Sequence, residues 1–89
     1  MDKNSQVAEH LKQLHSELEQ TETLGHDDRA LLLQVVADIH AVLDRSENAA
    51  GYASSVQQLE SAVERFEVSH PGLTTVMSRV INALSDLGI

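Results

Sequence analysis

Apolar side chains recur along this chain in four runs, three of which have spacings that alternate between three and four residues, the period of one face of an α-helix. The first run is Val7, Leu11, Leu14 and Leu18. It is a narrow seam of coiled-coil width and predicts a helix over residues 4–21, with Asn4 or Ser5 as its N-cap. The stripe fades after Leu18, and Thr21-Glu22-Thr23-Leu24-Gly25 reads as a turn. The second run is denser: Leu31, Leu32, Leu33, Val35, Val36, Ile39, Val42 and Leu43. On a helical wheel it covers roughly 200°, about twice what a one-sided surface helix needs. It predicts a helix over 26–45 that packs on two sides. Gly25 serves as its N-cap, and Asp27 and Asp28 lie in the first turn, where the helix dipole favours negative charge.

Residues 46–53 are the weakest stretch for structure, since Ser46, Asn48 and Gly51 are caps or breakers. The third run, Val56, Leu59, Val63 and Phe66, predicts a helix over 54–68, capped by Ser54 with Gln57 three residues on. The alternative start lies near Asn48, with Gly51 tolerated inside the helix. The run ends at a corner formed around Phe66, His70 and Pro71. Pro71 pushes His70 out of the helical region, so the third helix should stop by about Val68. Pro also suits the first turn of a new helix, because its missing N–H would have no partner there. His70 or Ser69 then sits near the N-cap, with the His70 ring capping the last helix or packing on the turn. The fourth run, Leu73, Met77, Val80, Leu84 and Leu87, predicts a helix over 71–86.

These runs describe an all-α protein: one domain over residues 1–89, a small antiparallel bundle of about four helices with coiled-coil-like seams and short loops. No strand pattern, internal repeat or low-complexity run interrupts them. The fourth helix has an unusual polar face of Thr74, Thr75, Ser78, Asn82 and Ser85, with Arg79 and Asp86 its only charges. Small uncharged side chains are cheaper to bury than Lys or Glu. The second and fourth helices therefore carry the candidate interface: Leu31, Val35, Val42, Leu73, Val76, Met77, Val80, Ile81 and Leu84.

Charge narrows the partners. Six Lys and Arg against fourteen Asp and Glu give a net charge of −8, and the six cations are dispersed. Such a chain is repelled by nucleic-acid phosphates and anionic lipid, so no nucleic acid and no membrane insertion are expected. No apolar run approaches the ~20 residues of a membrane span, and MDKNSQVAEH lacks a signal-peptide core. A soluble cytoplasmic protein is the expectation. There is no Cys, which removes disulfides and thiolate chemistry together. Aromatic residues are 2% of the chain, leaving few large anchors for a core of 89 residues; small helical chains of this kind often gain by oligomerising.

Candidate chemistry is sparse. No two of the five His are spaced i, i+4, so a metal site would need ligands converging from different helices, such as His10 or His15 with His40. His40 lies at the edge of the second apolar arc and is expected to be partly buried. Glu60, Glu64 and Glu67 form a ridge that reads as a solvated face. No Ser sits in a nucleophile elbow, and no Gly-rich phosphate loop is present. No catalytic residue, cofactor or metal is expected.

Two stretches carry a resemblance. AVERFEVSHPGL followed by an apolar helix and a terminal LGI, with LxxDDRALLxxVxxDI over Leu24–Ile39, resembles a bacterial family of short proteins catalogued as a domain of unknown function. The likeness covers most of the chain and is most specific over Ala62–Pro71 and the last three residues. It implies a small, all-helical, cytoplasmic protein and supplies no catalytic residues. Gly25 departs from the pattern, where a stronger N-cap such as Ser is expected. The functional expectation is a non-enzymatic module that associates with itself, as a homodimer or higher, or with another protein. The alternative is an acidic regulator that masks a basic surface on another protein; a small metal-dependent enzyme is a remote third.

Overall fold

The computed structural model describes residues 3–45 and 53–86. Four helices follow one another: α1 (Lys3–Gln20), α2 (His26–Arg45), α3 (Ala53–Phe66) and α4 (Pro71–Ser85). Among the described residues there is no strand. Each helix packs on two others, α1 on α2 and α4, and α3 on α2 and α4, so the four close a ring around one core. The all-α bundle expected from the periodicity is what forms. An 18-residue helix is about 27 Å long, and the five residues between α1 and α2 can only reverse the chain, so this pair runs antiparallel.

The core is built from the predicted stripes. Val7, Leu11, Leu14 and Leu18 are all 0% exposed, so the α1 seam is enclosed along its whole length. Leu32, Val35, Val36, Ile39 and Val42 of α2 meet it, with Leu59, Ala62 and Phe66 from α3 and Leu73, Val76, Met77, Val80, Ala83 and Leu84 from α4. Leu33, Leu43, Val56, Val63 and Ile81 pack around the margin. Leu24, in the α1–α2 turn, is buried as well and plugs the end of the core.

The helix ends obey local chemistry. Gly25 is the N-cap of α2, since its carbonyl accepts the Arg29 N–H at 2.9 Å. Asp27 and Asp28 occupy the first turn. α1 has no basic residue in its own last turn. Arg29 of α2 supplies one: its Nε donates to the Leu18 carbonyl at 2.9 Å and its Nη2 donates to the Thr21 carbonyl. A guanidinium placed there satisfies orphan carbonyls and complements the negative end of the α1 dipole.

Two expectations need correction. α3 starts at Ala53, so Ser54 lies inside the first turn and is not the N-cap; its hydroxyl accepts from Gln58 Nε2 at 3.4 Å. The alternative start near Asn48 lies outside the described residues. α3 stops at Phe66, in keeping with an end by about Val68; the Glu67 and His70 N–H groups still reach the Val63 and Phe66 carbonyls at 2.9 and 2.7 Å through the turn at 67–69 that leads to Pro71. His40 is exposed, since it lies at the margin of the buried arc of α2, one turn beyond Val36, and not within it.

Candidate functional site

The candidate interface residues fall into two groups. Val35, Val42, Leu73, Val76, Met77, Val80 and Leu84 are buried within the single chain. They cannot offer their side chains to a second molecule without opening the bundle. The breadth of α4 is used to reach α1 and α3 at once, and Thr74 is buried along with it. Ile81 is half-buried at the α3–α4 margin. Leu31 is different. It is 53% exposed, the one large apolar side chain in a described helix that points substantially into solvent.

Leu31 stands on the rim of a groove of about 370 Å³ between α2 and α3. Leu32 and Val35 line it from α2, and Ala62 and Phe66 from α3. Ser54, Gln57, Gln58 and Ser61 supply uncharged hydrogen-bonding groups along the α3 edge. The groove exists because α3 turns short side chains toward a helix with an unusually broad apolar arc. Ser54, Ser61 and Ala62 lack the volume to fill the space beside Leu31. Only two charged residues line it, Asp28 and Arg65, and these are paired: Arg65 Nη2 lies 3.0 Å from Asp28 Oδ1.

That ion pair joins the groove to a cluster at the corner. The Arg65 guanidinium sits 5.2 Å from the centroid of the Phe66 ring. Phe66 meets the His70 ring edge to face, with centroids 5.7 Å apart. The two ring nitrogens of His70 lie 3.0 Å from the hydroxyls of Thr23 and Ser69. A neutral imidazole donates from one nitrogen and accepts at the other, and a hydroxyl can do either, so both bonds form in either tautomer. His70 is the N-cap residue of α4, yet its side chain does not cap the helix. The ring instead packs on the turn and ties the α3–α4 corner to the α1–α2 turn. Pro71 takes the first helical position and stays exposed, and the hydroxyls of Thr74 and Thr75 donate to its carbonyl at 3.0 and 2.9 Å.

The remaining candidates stay apart. His15 Nε2 lies 3.1 Å from Glu19 Oε1, one turn along the same exposed face. His10 is half-buried, with its Nδ1 buried and unpartnered. Among the described residues, no group of three or more His, Asp or Glu is placed to hold a metal ion. Glu60, Glu64 and Glu67 are exposed. No helix among the described residues is long and apolar enough to cross a membrane. Sequence reasoning found Leu31 but gave it no priority over its neighbours, and it missed Arg29 and the pairing of Asp28 with Arg65. The signal for the groove was available: the serines and Ala62 of the third helix fall on the side that must face the leucine-rich second helix.

A ring of four helices with an apolar, charge-balanced groove between α2 and α3 defines the class: a small all-α bundle. The family model described as "Domain of unknown function (DUF4404)" matches residues 7–89, and the chain belongs to that family. No curated protein and no solved structure gives a significant match.

Proposed function

We propose that this chain is a non-enzymatic interaction module that self-associates through the α2–α3 face. The observation that carries this reading is the half-exposed Leu31 beside an apolar groove; among the described residues the other exposed large apolar side chain is Val68, in the turn after α3 and away from the groove lining. An exposed Leu alone means little. An exposed Leu beside unfilled apolar space is the surface that another helix covers. Sedimentation equilibrium from micromolar to millimolar concentration tests it. The expected result is a monomer–dimer equilibrium; the mass of one chain throughout would count against self-association.

The charge supports a second reading, an acidic regulator seated on a basic surface of another protein. Of the few cations, Arg29 and Arg65 are already engaged within the chain, so the outward charge is more one-sided than the composition alone implies. Such binding should weaken steeply as salt rises. Capture that does not respond to salt would remove the electrostatic account.

A further inference from the structure

We infer that the α2–α3 face is a two-fold interface in which Leu31 of each copy enters the groove of the other; this rests on the self-association reading and specifies its geometry. A two-fold contact presents the same patch from both sides, so that patch must carry both a projection and a recess that receives it. This face has both within one helix width. Leu31 is the projection, and the recess is the space beside Ser61 and Ala62, floored by Val35 and Phe66.

Charge selects the second copy as occupant. The chain carries −8, so two copies repel each other through most of their surface. The groove is where that repulsion lapses: its only charged lining residues, Asp28 and Arg65, cancel and are bonded to each other. A basic partner would gain nothing from a patch of zero charge and would be drawn to the acidic faces instead. Apolar contact with an identical neutral patch is what remains favourable.

Size sets the strength. Eleven residues line the groove, against about 20–30 residues a side in an interface of standard size. The dimer is accordingly weak, in the micromolar range, and sensitive to a single central side chain.

The test uses full-length chains carrying Leu31→Lys or Ser61→Glu, both at exposed positions, with circular dichroism confirming that each keeps its helicity. Each variant alone should raise the dimer dissociation constant by at least about ten-fold. Mixed one to one, they should recover dimer, because one contact then pairs Lys with Glu and the other is native. A native chain that is monomeric at every concentration defeats the self-association reading and this geometry with it. A native dimer that persists in Leu31→Lys, or two monomeric variants that fail to recover dimer when mixed, overturns this geometry and leaves self-association standing.

Discussion

Along the α1–α4 seam the apolar side chains are enclosed: the four α1 positions and Met77, Val80 and Leu84 of α4 are all 0% exposed, and the depression of about 470 Å³ on its outside is lined mainly by polar and charged residues such as Glu9, Lys12, Glu17 and Arg79. Along the α2–α3 seam the bundle stays open, although α2 is the leucine-rich helix of the pair. The difference does not lie in total hydrophobicity. α1 is the more polar helix, with one narrow stripe, but every residue of that stripe meets a large apolar partner. α2 has apolar surface to spare and faces a helix that answers with Ser54, Ser61 and Ala62. Closure is thus decided by matched volume across a seam, and an excess on one side with small side chains on the other leaves a groove.

The largest expected effect separates the two seams directly. Leu14→Ala should cost about 3 kcal/mol of unfolding free energy, because it removes a fully enclosed side chain and leaves a cavity. Leu31→Ala, the same chemical change, should cost under about 0.5 kcal/mol at low protein concentration, as a surface substitution does. Urea denaturation followed by circular dichroism measures both; similar losses would mean that the open seam is not open in solution.

Next in size is Arg29→Met. It keeps the aliphatic stem and removes the donors to the Leu18 and Thr21 carbonyls. A loss of about 1–2 kcal/mol is expected, since two part-buried acceptors lose a charged partner. Faster amide exchange at the end of α1, with the open seam unaffected, would place that loss on the closed side.

A smaller effect belongs to the ion pair at the end of the groove. The Arg65 side chain is 63% exposed, so Arg65→Gln should cost only about 0.5 kcal/mol and less at high salt. A loss well above that, indifferent to salt, would mean that Arg65 acts through packing on Phe66 rather than through Asp28.

The smallest effect is a gain. Gly25→Ser should stabilise the chain by a few tenths of a kcal/mol, because a Ser hydroxyl can accept the N–H groups at the start of α2 that Gly leaves to water. The added Cβ meets nothing nearer than Asp28 Oδ2 at 3.5 Å, an ordinary contact. A destabilised variant would show that the α1–α2 turn needs the freedom of Gly there.

Much of this was legible beforehand. The stripe Val7, Leu11, Leu14, Leu18 could be read as a buried seam from spacing alone, because a helix with one apolar face has only one way to hide it. The α3–α4 corner followed from Pro71, whose ring fixes where one helix stops and the next begins. The interface residues were less tractable. Val35 and Leu31 are both apolar members of the same arc, four residues apart, yet one is 1% and the other 53% exposed. Periodicity gives the direction of a side chain around its own helix and not what stands opposite. His70 was placed at the corner with its ring capping the helix or packing on the turn; it packs on the turn, and its bond to Thr23, 47 residues away in another turn, was not legible.

The sequence by itself determined the four helices, the corner between the last two, the acidic character of the surface and the excess of apolar side chains on the second helix. These are properties of a residue and its near neighbours, set by backbone sterics, capping and period. Tertiary structure alone decided which apolar residues are enclosed, that Arg29 closes the end of α1, that Asp28 meets Arg65, and that the unfilled space lies between α2 and α3. Those depend on how the volumes of two helices distant in sequence match across a seam, and no local pattern carries that information.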